Sequence, residues 1–346
     1  MTPIPGKLPA MTLSFQPLDE RHDVTRQILR EEIVPAYRPV VLRGFAADWP
    51  AVAAGRAGAR AAADYLKGLD QGAPVEAFVG APDIKGRFFY QDAERSVNFE
   101  RRPGAISAIL DDLLALGDQV DPPSVYVGSA PTPKVLPGFA EANRNLLLDI
   151  PVDPRIWFGN AVTAQTHYDM ADNIAVVVAG RRRFTLFPPE QTANLYVGPL
   201  DFTLAGQPIS MVSLDEPDHA RYPRFAQAVE HGLSAELGPG DAIYIPTLWW
   251  HHVRSLDSLN VLVNYWWRDL PPEAGSPFKV LVHGLLAVRH LPAPQRAAWR
   301  AIFDHYLFEV NGDPAAHLPE DRKGVLGPLS PRLALNIRAF LKRAFG

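Results

Sequence analysis

The tripeptide His167-Tyr168-Asp169 combines an imidazole and a carboxylate, two side chains that bind divalent metal ions. In an extended strand alternate side chains lie on the same face, so His167 and Asp169 would be placed to share one ion. A His-x-Asp or His-x-Glu sequence is expected about once by chance in a chain of this composition. The tripeptide alone therefore also fits an ordinary hydrogen-bonded pair.

The pair His251-His252 follows an apolar run that begins at the glycine-containing turn 238–241. Strand alternation places His251 on the face of Trp249, and His252 on the opposite face as a surface histidine or a hydrogen-bonding support. His251 is thus the better third ligand. Two imidazoles and one carboxylate form the facial triad that leaves open positions at Fe(II) for substrates and dioxygen. Because the chain has no cysteine, thiolate zinc sites and iron–sulfur clusters are excluded.

A run of three arginines, 181–183, opens a predicted strand. Alternation places Arg182 on the apolar side with Phe184 and directs its two neighbours toward water. A buried guanidinium requires an anion, and its bidentate geometry suits the far carboxylate of an oxoacid bound beside a metal. Polar residues on flanking strands would complete such a pocket: Tyr126, Asn173 and Asn264. A solvated arginine edge and purely structural hydrogen bonds remain the alternative.

These candidate residues lie in a region of short apolar strands. The predicted strands cover 124–127, 156–159, 173–178, 183–187, 242–245 and 260–267. Strands at this density, joined by turns that contain glycine, predict antiparallel sheets in a sandwich or barrel.

The flanking regions show mainly helical patterns. Before the strands, the sequence predicts a helix capped by Asp23 that ends near Pro35, a strand over 39–45, an alanine-rich helix through about Leu66, a strand over 87–91 and an amphipathic helix over 104–116. After them it predicts helices near 276–290, 293–310 and 330–345. We therefore expect a lead-in over 1–120, a barrel over 121–270 and a helical region over 271–346, which either covers a sheet or pairs with a second subunit.

The composition restricts the partners. With 34 Lys+Arg against 38 Asp+Glu the net charge is −4, which removes the broad positive field of non-specific nucleic-acid binding. This favours a protein or peptide partner, with a basic protein segment attracted more easily than tRNA, although a local basic patch such as 101–102 leaves nucleic acid possible. Residues 1–15 contain prolines and no continuous apolar core, and no run of about 18 apolar residues follows. We expect a cytoplasmic protein without a membrane partner.

Taken in order, several segments resemble the cupin-like JmjC hydroxylases, a family that includes asparaginyl hydroxylases. The similarity rests on 38–45, 157–160, 167–169 with Asn173, 180–189, 194–196, 238–246, 249–252 and 264–266. It implies a mainly β fold with flanking helices, built as a double-stranded β-helix, also called a jelly-roll or cupin barrel. It also implies a dioxygenase that uses Fe(II), 2-oxoglutarate and O2 to hydroxylate a protein side chain, with release of succinate and CO2.

The resemblance carries over to particular positions. It makes His167, Asp169 and His251 the iron ligands and catalytic centre. It implies that 2-oxoglutarate is contacted by Tyr126, Asn173, Arg182 and Asn264. It also implies that Trp266 lines the pocket. It also implies a homodimer formed by the C-terminal helices.

Two positions depart from the family pattern. Arg182 stands where lysine is common, and an arginine still pairs with a carboxylate. Ala164 stands where the family has threonine or serine, and either Thr163 or Thr166 would have to supply that hydroxyl.

Several other functions share these features. They are hydroxylation of tRNA or of a small molecule, demethylation by the same mechanism, a cupin metal enzyme that does not use 2-oxoglutarate, and a non-catalytic binding protein. Succinate formation and metal content distinguish them.

Overall fold

The computed structural model describes residues 13–345. Residues 1–12, most of the segment expected to lack a signal peptide, lie outside the described residues. The chain divides into two compact units, Met1–Arg268 and Asp269–Gly346. The separate boundary near residue 120 stays a prediction.

The strands are numbered here in chain order. They are β1 (Gln16–Pro17), β2 (Asp19–Arg21), β3 (Val40–Leu42), β4 (Pro74–Gly80), β5 (Tyr90–Gln91), β6 (Ser96–Val97), β7 (Glu100–Ala105), β8 (Ser124–Pro131), β9 (Arg155–Gly159), β10 (Thr163–His167), β11 (Asp172–Ala179), β12 (Arg182–Phe187), β13 (Leu233–Leu237), β14 (Ala242–Ile245), β15 (Trp250–Ser255) and β16 (Asn260–Trp267).

Two sheets face each other as a barrel. The smaller has the order β1-β13-β12-β15-β10, and the larger has the order β2-β3-β14-β11-β16-β9-β8-β4-β7. Strands β9 to β16 pass back and forth between these sheets, which is the pattern of a jelly roll. The predicted double-stranded β-helix with flanking helices is confirmed. Barrel neighbours run antiparallel as expected, while the pairs β1–β13 and β2–β3 at the edges are parallel.

The helices lie before and after the barrel strands, with short ones inserted between them. In the first unit the α-helical segments are Arg26–Ile28, Val34–Ala36, Pro50–Ala57, Ala59–Lys67, Ile106–Leu116, Thr132–Val135, Phe139–Ala142 and Phe225–Glu230, with a π-helical turn at Leu29–Ile33 and 3-10 turns at Pro82–Ile84 and Pro189–Asn194. In the second unit they are Pro277–Ala287, Ala293–Tyr306 and Pro331–Phe345, with 3-10 turns at Glu320–Arg322 and Gly324–Leu326.

Three local predictions were wrong. The first helix is capped by Thr25, whose hydroxyl accepts from the Ile28 amide, whereas Asp23 has a left-handed backbone. The alanine-rich helix is broken at Gly58, where φ is 119°. Only Tyr90–Gln91 of the strand expected over 87–91 is extended in a sheet. Cap and break positions depend on backbone angles that side-chain periodicity does not encode.

The outer side of the larger sheet is closely packed against helices. The larger sheet buries one face against the helices, with Ile106 and Leu110 fully covered. Helix Pro50–Ala57 approaches β11 so closely that a Cβ at Gly55 would lie 1.9 Å from the Val178 carbonyl oxygen. Only glycine permits that contact. The other face of the sheet contributes to the barrel interior, which contains Val177 and Phe184.

The helices of residues 13–345 include none with both the length and the apolar character needed to cross a membrane.

Candidate functional site

His167, Asp169 and His251 come together at one end of the barrel. One ligand atom of each lies within 4.8 Å of the others. Nε2 of His251 is 3.5 Å from Oδ2 of Asp169, and the two imidazole centroids are 4.2 Å apart. Asp169 and His251 are buried and His167 is partly exposed. The three residues predicted as ligands therefore form one compact cluster at the wall of a pocket.

Strand pairing places the two histidines of the cluster, whereas a turn beyond the strand places Asp169. His167 is the last residue of β10 and stands directly opposite His251 of β15. Asp169 lies beyond the end of β10, so strand alternation does not place it. Its carbonyl instead accepts from the Leu248 amide, which holds the turn against the start of β15. The pairing of His167 with Asp169 was predicted, but the reason given for it was wrong.

Hydrogen bonds to the backbone orient both imidazoles. Nδ1 of His167 lies 2.6 Å from the Gln165 carbonyl oxygen, and Nδ1 of His251 lies 3.0 Å from that of Trp249. A carbonyl only accepts, so Nδ1 carries the proton in each ring. The lone pair is then on Nε2, which is the tautomer a metal ligand requires.

The electrostatics favour a neutral imidazole beside an ionised carboxylate. Burial, followed by the neighbouring His251, lowers the pKa of His167 to about 4. Burial raises the pKa of Asp169, but the two neighbouring imidazoles and the hydrogen bond from Trp266 outweigh this effect and hold the pKa below its usual range. Both groups are thus in their metal-binding protonation states near neutral pH.

Two further side chains fix the Asp169 carboxylate. The indole N–H of Trp266 donates to Oδ2 at 3.0 Å, and the Gln207 amide donates to Oδ1 at 3.1 Å. Trp266 was predicted to line the pocket, and it does so. Gln207 was not predicted, because it lies in the irregular segment between β12 and β13, where no periodicity marks it.

Arg182 lies deep in the barrel, on the apolar side that alternation predicts. It is 3 % exposed, and its Nε and Nη2 have no hydrogen-bond partner. Burial lowers its pKa, an effect that Tyr126 opposes through a hydrogen bond. Its neighbours Arg181 and Arg183 are exposed and paired with Asp257 and Glu236. Arg182 is therefore a buried cation with unused donors.

The polar residues predicted around Arg182 line the same cavity. The indole of Trp157 donates to Oδ1 of Asn264 at 2.6 Å, and the Asn264 amide donates to Oδ1 of Asn173 at 3.1 Å. These two hydrogen bonds fix which polar atoms of Asn173 and Asn264 face the cavity. Trp157 was not predicted as a pocket residue, although it lies in the strand predicted over 156–159.

The pocket has an inner and an outer part. The inner cavity measures about 60 Å³ and connects the metal-ligand cluster to Arg182. The outer pocket measures about 620 Å³ and opens above His167 and Asp169. They share the lining residues Tyr126, Trp157, Ala164, His167, Asp169 and Trp266. A small ligand in the inner part would thus lie directly beneath a larger one in the outer part.

The two positions that depart from the family pattern have clear locations. Ala164 lines the inner cavity, and Thr163 lines the outer pocket. Thr166 is fully buried and its hydroxyl lies 3.4 Å from Nδ1 of His252. His252 is itself 5 % exposed, so of its two predicted roles the surface histidine is wrong, and its contact with Thr166 agrees with the other, a hydrogen-bonding support.

A comparison with protein families places the chain. A model of a cupin-like domain matches residues 25–273, which is most of the chain. The chain belongs to the cupin-like domain family. The resemblance to cupin-like JmjC proteins is thereby confirmed.

Curated relatives share a shorter segment. Human tRNA wybutosine-synthesizing protein 5 is 39% identical over 108 residues, 31% of this chain and 31% of the human protein. Arabidopsis thaliana lysine-specific demethylase JMJ31 is 36% identical over 114 residues, 33% of this chain and 20% of the relative. Xenopus tropicalis lysine-specific demethylase 8 is 35% identical over 112 residues, which are 32% of this chain and 24% of the relative. The matches span less than a third of each relative's length.

Proposed function

We propose that the protein is an Fe(II)- and 2-oxoglutarate-dependent oxygenase that hydroxylates a side chain of a protein substrate. The observation that carries this proposal is the combination of the His167, Asp169 and His251 cluster with the unpaired guanidinium of Arg182 in one pocket. Family membership is consistent with it.

The donor set fits Fe(II). Two imidazoles with free Nε2 lone pairs and one carboxylate offer ligands of the types found in non-haem iron sites. Gln207 and Trp266 hold the carboxylate, which is the outer support that metal ligands commonly have. His167, Asp169 and His251 would hold the ion, and the pocket side of the cluster would receive the other ligands.

The charge and polar lining of the inner cavity suit 2-oxoglutarate. A buried guanidinium with unsatisfied donors is unfavourable unless an anion binds it, and a carboxylate can accept two parallel N–H bonds. Arg182 would bind the carboxylate far from the metal, with the Tyr126 hydroxyl beside it. Asn173 and Asn264 would limit how the co-substrate can turn, because each is held by a fixed hydrogen bond.

Iron in such a site supplies the redox chemistry by which one atom of dioxygen enters succinate and the other enters the hydroxylated product, as CO2 leaves. The protein's own residues bind and orient. Trp157 and Trp266 pack edge to face, with centroids 5.6 Å apart, and cover the junction of the two cavities. Their rings would exclude water and direct the substrate carbon toward the metal-ligand cluster.

The size and charge of the molecule support a protein side chain as substrate. The outer pocket of about 620 Å³ admits an extended side chain with neighbouring backbone. The net charge of −4 disfavours a polyanion such as tRNA at long range.

The test measures co-substrate turnover and then the product. Purified protein with Fe(II) and 2-oxoglutarate should form succinate, and N-oxalylglycine should bind and inhibit. Mass spectrometry of enzyme-treated cell extract should then show a protein peptide that has gained one oxygen atom. Failure to form succinate together with failure to bind N-oxalylglycine would reject the mechanism and favour a cupin metal enzyme of another kind, or a binding protein.

A tRNA substrate is the second candidate, favoured by the identity to the human protein named for wybutosine synthesis in tRNA. The same extract, separated into protein and RNA, distinguishes the two. An oxygen gained only in the RNA fraction supports tRNA, and loss of a methyl group from either fraction supports demethylation, for which two relatives are named.

We also propose a homodimer that forms through the Asp269–Gly346 unit. Its helices carry large apolar side chains that are 45% or more exposed in the single chain, namely Val280, Leu281, Val282, Leu286, Trp299, Ile302, Tyr306, Leu335 and Phe340. Apolar surface on this scale is commonly covered by a partner. Light scattering should give a dimer mass for the wild type and a monomer mass for Leu286→Glu combined with Leu335→Glu. A monomeric wild type contradicts this.

A further inference from the structure

Arg155, the first residue of β9, is clamped at the mouth of the outer pocket. Its Nε donates to the Ser129 hydroxyl and its Nη2 donates to the Ser129 carbonyl oxygen, the latter at 2.6 Å. Its guanidinium carbon lies 6.0 Å from the ring centre of Trp266, within cation–π range. The guanidinium is therefore fixed in position beside the tryptophan that holds Asp169.

The backbone is distorted to build this clamp. Between Val127 and Ala130 the register of β8 against β9 shifts, and Ser129 has a φ of 55°. A left-handed serine is unfavourable, and irregularities of this kind re-aim side chains and occur often beside active sites. Here the distortion presents both oxygens of one residue to Arg155.

Arg155 is charged but not neutralised. Among the described residues no carboxylate lies within 4.0 Å of its guanidinium, and Asp153, which lines the same shallow surface pocket, stays beyond that limit. The other arginine of the outer pocket, Arg101, is different. It forms a salt bridge of 2.7 Å with Glu76. The mouth therefore contains one fixed cation whose outward donors are unused and one that is already paired.

We propose that Arg155, held by Ser129, binds a carboxylate of the substrate, so that the enzyme selects peptides with an aspartate or glutamate close to the hydroxylated side chain. This inference rests on the proposed oxygenase function of the same pocket. The clamp occupies the Nε edge of the guanidinium, which leaves Nη1 and the second Nη2 proton to face the incoming carboxylate.

The surrounding charges favour an acidic peptide over RNA. A phosphodiester chain is bound by several cations that track its backbone. At this mouth Glu76 neutralises Arg101, so the lining does not offer a row of free cations. A single carboxylate needs only the single guanidinium that Arg155 provides.

The experiment selects peptides from a displayed random library on the full-length protein loaded with Mn(II) and N-oxalylglycine, which bind without turnover. Selected peptides should be enriched in Asp or Glu at one position. Fluorescence anisotropy then compares a selected peptide with its Glu→Gln counterpart. The wild type and Arg101→Gln should prefer the glutamate form by about tenfold or more, the factor expected of one charge-assisted pair, and Arg155→Gln should bind both forms equally.

Equal affinity of the wild type for the two peptide forms overturns the inference, as does a preference that survives in Arg155→Gln. Tighter binding of bulk tRNA than of every selected peptide, lost in Arg155→Gln, also overturns it and assigns the cation to phosphate. If Arg155→Gln does not fold, a photo-cross-linker beside the glutamate decides, because it should label the segments around Ser129, Arg155 or Trp266. Succinate formation is measured separately in the absence of peptide. Failure of this inference can then be distinguished from failure of the proposed oxygenase function.

Discussion

Replacing Arg182 by methionine removes the buried guanidinium and keeps an unbranched chain in its place. In the free protein Arg182 is 3 % exposed with unpaired Nε and Nη2. Buried donors without partners destabilise by about 1–3 kcal/mol, and apolar replacement of buried charge is often stabilising. We therefore expect Arg182→Met to raise the free energy of unfolding of the unliganded protein by about 1–3 kcal/mol.

The same change should weaken co-substrate binding severely. Losing one partner of a buried charged pair costs about 2–5 kcal/mol, which is a factor of roughly 30 to several thousand in Kd. Urea unfolding measures the first effect, and calorimetric titration of the Mn(II)-loaded protein with N-oxalylglycine measures the second. The stabilised variant should thus be the one that has lost its ligand.

Arg183→Met is the matched control, because the neighbouring arginine is exposed and pairs with Glu236 at the surface. It should change the free energy of unfolding by no more than about 1 kcal/mol and leave ligand binding unchanged. The reasoning is refuted if Arg182→Met destabilises the unliganded protein and binds N-oxalylglycine as the wild type does.

Three further predictions concern metal binding, pH and packing. His167→Ala should lose Mn(II) binding by calorimetry while circular dichroism shows unchanged helix and strand content; retained metal binding counts against the site. Burial raises the pKa of Asp70, but hydrogen bonds from the Ser107 hydroxyl at 2.6 Å and the Ser107 amide at 2.8 Å outweigh this effect. The pKa of Asp70 is therefore below the ordinary value for aspartate, about 3.9. The stabilisation is thus complete above that pH and is lost as the pH falls through the lowered pKa. Asp70→Ala should therefore lower the free energy of unfolding by about 1–2 kcal/mol near neutral pH and by progressively less in acid. Urea unfolding at a series of pH values measures this. Gly55→Ala should destabilise the protein by several kcal/mol, because the new Cβ would lie 1.9 Å from a backbone oxygen. Gly284 has open space around it, so Gly284→Ala should be neutral or stabilising by about 1 kcal/mol. Equal effects of the two changes on Tm would contradict this.

The barrel and its buried cation were predictable because both follow from strand alternation. Short apolar runs marked the interior strands, and the two-residue period placed Arg182 inward between exposed neighbours. The same period separated His251 from His252. It could not show that His252 is buried as well, because Thr166, the residue that contacts its ring, lies on β10, far from it in the sequence.

The residues that support the site were not predictable in this way. Gln207 reaches Asp169 from an irregular segment, and the clamp of Arg155 depends on a distortion in β8. Strand β7 was missed because its sequence includes Pro103 and its side chains are largely exposed, so no alternation of apolar residues marks it. Long-range contacts of irregular backbone have no local sequence pattern.

The most direct measurement of the central claim is the reaction of purified, Fe(II)-loaded protein with 2-oxoglutarate in air, followed as succinate formed. The wild type should form succinate and bind N-oxalylglycine, and both properties should disappear in Arg182→Met but persist in Arg183→Met. A wild-type protein that holds Fe(II) at His167, Asp169 and His251 but neither forms succinate nor binds N-oxalylglycine contradicts the claim that this pocket is a 2-oxoglutarate site.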